Sequence, residues 1–284
     1  MPSAIRWPKA LNCWRLRSKG VVDVFSTADI GHAADTKGKK MTLLSVNINK
    51  VALIRNSRGR NYPDVDAFAA RCLDLGAAGI TLHPRPDQRH ARYSDVVSLS
   101  KLCQSRAVEL NVEGYPTREF LDVVIANKPA QCTLVPDEPG QLTSDHGWDL
   151  RRHEHFLRSV IGELKQHGIR SSLFVDYDNP DIAFAKELGA DRVELYTEPY
   201  ADTFGAAAAD AIWQGFADAT KRAQAAGLGV NAGHDLNLQN LGRFLEIPGI
   251  LEVSIGHAII VECLEMGVDS VIGQYRQILA RASN

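Results

Sequence analysis

Cysteine is sparse and unpatterned in this sequence: Cys13, Cys72, Cys103, Cys132 and Cys263 are odd in number, scattered, and include no CxxC pair. That excludes a disulfide framework and a structural zinc site as organising devices, and it fits a reducing cytoplasm. Long apolar runs are missing as well. No stretch approaches the roughly 18 residues a membrane span requires, and no apolar h-region follows the start. The segment after the first apolar run, VNINKVALIRNSRG, has no GxGxxG, so a doubly wound dinucleotide-binding sheet lacks its fingerprint. It has no HxH pair either, which weakens a metal-dependent barrel hydrolase using His83, His90, His234 and His257.

An excess of positive charge is also absent where the chain folds. Residues 1–40 carry eight Lys or Arg against three acids, a net of +5, whereas the remaining 244 residues hold 24 bases and 31 acids, a net of −7. A negative body repels nucleic-acid phosphates, which argues against that partner. Phosphates on small molecules remain allowed, because local arginines and helix amino ends can hold them. Residues 1–40 show neither a helical period nor strand alternation. We expect a disordered extension there, with Met41 a candidate start, followed by a catalytic domain over 41–284. The competing reading of the extension is a targeting peptide, since residues 1–22 hold five bases and no acid. At 45% hydrophobic and 23% charged, the 284 residues suffice for a full core.

What is present is an alternation of short apolar runs with longer helical patterns. The runs predict strands at 43–48, 78–82, 107–112, 131–135, 171–175, 192–196, 228–231 and 251–255. Helices are predicted at 64–75, 94–104, 117–127, 150–167, 180–188, over about twenty residues ending at 226, at 239–245, and from about 258 onward. The segment through Arg58 and Gly59 reads as a polar loop. Helix-to-strand junctions repeat LGAAGI (75–80), HGIRSS (167–172), LGADRV (188–193) and AGLGVN (226–231), each with a glycine suited to end a helix in the left-handed conformation. Eight β-α units over 244 residues predict an α/β protein, a (β/α)8 TIM barrel with extra helices, for which about 250 residues is typical.

Barrels bind ligands at the carboxyl ends of their strands. The stretch ITLHPRPDQRH (80–90) stops an apolar run at His83 and continues with Arg85, Arg89 and His90; alone, it reads equally well as a solvated basic loop. In a barrel it shares a mouth with Asn47, Asn49 and Lys50 after the first strand and Glu113 after the third. Thr143 lies beyond the fourth strand, His234 after the seventh, and Gly256 and His257 after the eighth. Two histidines and a carboxylate at one mouth suit proton transfer beside a phosphate or carboxylate. In NAGHDL (231–236) the small residues allow close approach to the backbone while the imidazole projects. In IGHA (255–258) a helix starting near Ala258 offers free N–H groups to an anion. Taken singly, Glu113 reads as a helix-capping acid and His234 as a polar residue in a glycine turn.

The motifs VNINKVALIRNSRG, GITLHPRPDQRH, LNVE, CTLVP, QLT, VNAGHDLN and SIGHAII together resemble the pyridoxine 5′-phosphate synthase family, in order and spacing, from about residue 43 to the end. The resemblance implies a barrel that assembles as a homo-octamer. It implies condensation of 1-deoxy-D-xylulose 5-phosphate with 3-amino-2-oxopropyl phosphate to pyridoxine 5′-phosphate, phosphate and water, with no metal or organic cofactor. By matching motif, His83 and Glu113 resemble the family's proton acceptors and His234 its proton donor. Asn47, Arg58 and Asp235 fall where the aminoketone phosphate is contacted, Arg85, His90 and Thr143 where the xylulose phosphate is, and Gly256 and His257 at a phosphate grip. The chain departs from the family pattern at Asn49 and Lys50, where an acid and a histidine are usual, and at Asp235, where glycine is usual. We expect Asp235 to contact substrate through its backbone. A lysine Schiff-base aldolase, with Lys50 as the strand-end amine, and a silent phosphosugar-binding barrel are the alternatives.

Overall fold

Most strand positions alternate an apolar residue facing the helices with a polar one facing the barrel axis, and this period of two sets the architecture. The computed structural model describes residues 41–137, 141 and 144–282. The expected extension at 1–40, and Thr143, lie outside the described residues. The strands are β1 (Leu43–Asn47), β2 (Gly79–Leu82), β3 (Glu109–Gly114), β4 (Gln131–Leu134), β5 (Arg170–Val175), β6 (Arg192–Tyr196), β7 (Gly229–Gly233) and β8 (Ile250–Ile255). All neighbouring pairs are parallel, and β8 pairs with β1 to close the barrel. The helices are α1 (Asn49–Asn56), α2 (Val65–Asp74), α3 (Tyr93–Ser105), α4 (Arg118–Asn127), α5 (Glu154–Gln166), α6 (Phe184–Glu187), α7 (Glu198–Thr203), α8 (Ala209–Ala225), α9 (Leu241–Phe244), α10 (His257–Met266) and α11 (Val268–Ala282). None of them is long and apolar enough to cross a membrane.

The outward set, with Val46, Ile80, Leu82, Val112, Leu134, Leu173, Val193, Val230 and Val253, packs with the inner faces of the helices into the main core. The inward set is largely polar. Ser45 and Thr81 hydroxyls meet at 2.7 Å, the Thr133 hydroxyl donates to Asn111 at 3.0 Å, and Arg192 donates to Asn231 at 3.1 Å. Near the amino-terminal end, Arg170 pairs with Glu109 and donates to Gln131 at 3.0 Å. Barrel interiors are usually filled by branched apolar side chains. Here a small buried apolar cluster of Val135, Phe174 and Tyr196 stands apart from the main core.

The glycines foreseen at helix ends, Gly76, Gly168, Gly189 and Gly227, all have positive φ, between 72° and 99°. Several boundaries differ from expectation. Of the segment read as a polar loop after the first strand, residues 49–56 form α1, while Arg58 and Gly59 lie in the bend beyond it. The helix exposes Leu53 and Ile54 and has no side-chain hydrogen bond from its N-cap residue Ile48, so its sequence shows neither a clean apolar face nor a start signal. Strand β3 begins two residues late because Ala107 turns with φ of 53°, which puts Glu113 inside the strand. The helix expected at 180–188 shrinks to α6, the long one ending near 226 is α8, and α7 before it is a short helix with no counterpart among the expected ones.

Candidate active site

His83 is the first residue past β2, and its position is fixed from the backbone. Its N–H donates to Asn49 Oδ1 at 2.9 Å, and the Asn49 N–H in turn donates to Asn47 Oδ1 at 3.0 Å. Asn49 and Lys50, expected at a strand end, thus sit in the first turn of α1, where Asn49 orients the histidine through its amide. The imidazole is 6% exposed. Burial, reinforced by the Arg85 guanidinium, holds His83 well below the usual imidazole range, so it is neutral near pH 7.

The loop carrying Arg85 and His90 is latched to the end of α1. Asn56 Nδ2 donates to the carbonyls of Gln88, Arg89 and His90 at 3.2, 3.0 and 2.8 Å, and Arg55 Nη2 donates to the His90 carbonyl at 3.1 Å. The rings of His83 and His90 stand edge to face with centroids 6.3 Å apart. Burial and the neighbouring Arg85 push His90 down to about 4. Arg85 Nε and His90 Nδ1 are buried and have no hydrogen-bond partner among the described residues. A cleft of about 160 Å³ opens beside them, lined by His83, Arg85, Arg89, Tyr93, Tyr115 and Asp137 among others.

Glu113 reaches the mouth from β3, accepting from Asn47 Nδ2 and Asn111 Nδ2, both at 3.4 Å. Burial raises its carboxyl well above the usual range, and the nearby carboxylates of Glu194 and Glu252 add to the rise. Glu194 itself is pushed up to about 8 by burial and by Glu252. An added Cβ at Gly233 would lie 2.3 Å from Glu194 Oε1, so glycine there makes room for that carboxylate just before His234.

His234 follows β7 with φ of 83°, and Asp235 with φ of 55°. Two consecutive non-glycine residues in the left-handed region cost on the order of 1–3 kcal/mol each. The surroundings hold them there: Thr197 Oγ1 donates to the Gly233 carbonyl at 2.6 Å and contacts that of His234, while Asn240 Nδ2 donates to the Asp235 carbonyl at 3.1 Å. The His234 ring packs against both Phe174 and Tyr196, at centroid distances of 5.5 and 5.3 Å. Its pKa is lowered by burial against the opposing pull of Asp235 and Asp137. Gly256 precedes α10, whose first N–H groups face outward from the helix start. A Cβ on Gly256 would come within 3.0 Å of Asn47 Cβ, so β1 and the α10 start touch at the mouth.

The charge of Arg85 bears on His83, Glu113 and His234 alike, and that of Lys50 on His90 and His234. His83, Glu113 and His234 therefore share one mouth, with Asn47, Asn49, Lys50, Arg85 and His90 around them. Arg58, Asp235 and His257 are exposed; Arg58 lies just past α1. Among the described residues, no three His, Cys, Asp or Glu side chains are grouped to hold a metal ion. Sequence reasoning missed Asp137, Glu194 and Glu252. The two glutamates were signalled by alternation in RVELY and ILEVSI, and Asp137 by its place just past the fourth strand.

Fold and mouth together define a (β/α)8-barrel protein with acid–base groups and cations gathered at the carboxyl ends of its strands. A family described as "Pyridoxal phosphate biosynthesis protein PdxJ" matches residues 44–281. The chain belongs to that family and is an enzyme of vitamin B6 biosynthesis. Among its relatives, a protein of Xanthomonas oryzae pv. oryzae named pyridoxine 5′-phosphate synthase is 53% identical over 246 residues, covering 84% of this chain and 96% of the relative. One of the same name from Bacteroides fragilis is 51% identical over 240 residues, covering 84% and 100%. Solved structures with the same fold include a thiamine phosphate pyrophosphorylase from Pyrococcus furiosus, at TM-score 0.56 and 16% identity over 85% of this chain and 96% of that one. A 3-keto-L-gulonate-6-phosphate decarboxylase from Vibrio cholerae matches at TM-score 0.57 and 10% identity, covering 85% and 98%. At those identities the likeness is one of fold alone.

Proposed function

We propose that this chain is a pyridoxine 5′-phosphate synthase, condensing 1-deoxy-D-xylulose 5-phosphate with 3-amino-2-oxopropyl phosphate. The products are pyridoxine 5′-phosphate, inorganic phosphate and water, and protein side chains supply the acid–base catalysis. The observation that carries the reading is the gathering of His83, Glu113 and His234, from three separate β-segments, around the charge of Arg85. The relatives' shared name supports it.

The reaction needs an amine to add to a ketone, water to leave, phosphate to be expelled by β-elimination, and a carbon nucleophile to close the ring. Every step moves a proton, and a positioned acid or base contributes about 10²–10⁴-fold to such a step. His83, neutral before substrate arrives, is assigned as proton acceptor. Glu113 is the second acceptor; its raised proton affinity makes its carboxylate a stronger base and lets it hold a proton between steps. His234, whose imidazolium is made more acidic by burial, is assigned as proton donor. Arg85 and His90 offer the xylulose phosphate a charged fork and a ring nitrogen that has no partner among the described residues. The amino end of α10, at Gly256 and His257, grips the other phosphate. Asn47, Arg58 and Asp235 belong to the aminoketone side, and Thr143 to the xylulose side. A homo-octamer in the cytoplasm completes the proposal, and sedimentation of the purified protein tests the assembly. The activity is tested by supplying both ketone phosphates to purified, chelator-treated protein. One phosphate released per pyridoxine 5′-phosphate is expected, and no release would overturn the reading.

A further inference from the structure

Asp137 has no role in the scheme above, yet it sits at the junction of the groups that do. It lies just past β4, 5% exposed. Its Oδ2 has three neighbours: Arg85 Nη2 in a close ion pair, the Ser144 hydroxyl donating at 2.8 Å, and His83 Nε2 at 3.7 Å. The last distance is too long for a hydrogen bond. Meanwhile Asp137 Oδ1 and Arg85 Nε are buried without a hydrogen-bond partner among the described residues. The carboxylate is therefore committed to the arginine and stands just short of the imidazole, and both members of the ion pair keep unused hydrogen-bonding capacity.

A phosphate dianion competes directly for such a guanidinium, because two-pronged Arg–phosphate pairing is among the stronger charge-assisted contacts. We propose that Asp137 is a positioning residue for His83, held off the imidazole by Arg85 until an anionic substrate draws the guanidinium away. The proposal rests on the reading of this mouth as one for phosphorylated ketones. Closing 3.7 Å to hydrogen-bond length takes a rotation of the carboxylate, with the β4 and β2 ends left in place. His83 is then a weak base in the empty site and a stronger, oriented one once phosphate is seated, so the base is switched on by the group that marks the correct substrate. The charged and titratable groups facing His83 are Arg85, Arg89 and His90 on its own loop, His234 beyond β7, and Asp137 beyond β4. Glu113 on β3 and Lys50 on α1 act on the same cluster. Of these, Asp137 is the acid at ion-pair distance from Nε2.

The test separates this proposal from the functional reading by using a readout without turnover. Histidine C–H resonances of the full chain are titrated with and without saturating inorganic phosphate, in the wild type and in Asp137→Asn, with His83 assigned through His83→Gln. An opposite charge brought within reach raises an imidazole by about one pH unit or more. Phosphate should therefore raise the His83 midpoint in the wild type by about one unit more than in Asp137→Asn. Equal shifts in the two proteins overturn the proposal. In turnover, Asp137→Asn should lower kcat by about 10- to 100-fold, less than the loss of the base itself. The acid limb of its kcat profile should move to lower pH, KM for the xylulose phosphate should not rise, and Asp137→Glu should restore the limb. A raised KM with unchanged kcat overturns the proposal. If Asp137→Asn does not fold, Ser144→Ala serves: with phosphate seated, a carboxylate freed of the competing hydroxyl should raise the His83 midpoint further than in the wild type, and an equal or smaller shift overturns the proposal. A wild type that releases no phosphate from the two ketones sinks the functional reading alone and leaves the phosphate-titration arm standing.

Discussion

Replacing Arg55 by methionine removes one charge and keeps much of the stem volume, so it isolates what the guanidinium does. Arg55 joins α1 to α3 through a two-pronged pair with Asp95, at 2.6 and 2.9 Å, with side chains only 3% and 9% exposed. Asp95 also accepts from the Arg92 N–H at 2.8 Å, at the start of α3. Stripping the cation leaves a buried carboxylate with one backbone donor. Breaking a buried pair from one side costs about 3–5 kcal/mol, which for a domain of this size lowers Tm by on the order of 10 °C. Arg55→Met with Asp95→Asn should cost less than Arg55→Met alone, since an unpaired neutral amide is penalised by about 1–3 kcal/mol. Activity should fall mainly through a raised KM for the xylulose phosphate. The reason is that the His90 carbonyl loses one of its two side-chain donors while Asn56 keeps the loop in place. Urea titration and steady-state kinetics provide the readout. A single variant that loses under about 1 kcal/mol, or a double variant less stable than the single, would refute the reasoning.

His234→Ala should abolish pyridoxine 5′-phosphate formation while circular dichroism stays native; turnover at the wild-type rate removes His234 from the chemistry. For Glu113→Gln, calorimetry should find substrate binding kept while kcat falls by about 10²–10⁴-fold, and parallel loss of both would make Glu113 a binding group. The Glu194 carboxyl, raised to about 8 when folded against about 4.3 in an unfolded chain, stabilises the fold fully below the unfolded value and loses that contribution as pH rises through about 8. Glu194→Gln should therefore remove part of the stability decline between pH 6 and 8. Equal declines in variant and wild type would mean that Glu194 ionises in the fold at no cost.

Most of the fold was legible because parallel strands buried on both faces begin just after glycine-capped helix ends, as at Gly76 and Gly189. The strand-end positions of His83, Glu113 and His234 followed from the same pattern, and the family resemblance added the roles expected of them. What escaped notice had a physical reason. Helix α1 exposes Leu53 and Ile54 and is anchored by Arg55 to a residue 40 positions away, so local periodicity did not reveal it. Glu194 and Glu252 lie on strands whose outward residues are strongly apolar, and the apolar signal hid an alternation that aims both carboxylates at the axis. Asp137 carries no local signal of its role, because only the folded barrel brings the end of β4 to Arg85 and His83. Lys50 and Asn49, departures from the family pattern, turn out to differ in kind: the first contributes charge at the mouth, the second a backbone contact that sets His83.

Whether groups from β2, β3 and β7 act on one bound pair of substrates is decided by a crystal structure with 1-deoxy-D-xylulose 5-phosphate and an unreactive aminoketone phosphate analogue. His83, Glu113 and His234 should each lie within hydrogen-bond reach of a reacting atom, with one phosphate on Arg85 and the other at the start of α10. A ligand pair seated elsewhere, or any of the three side chains turned away from it, would contradict the account.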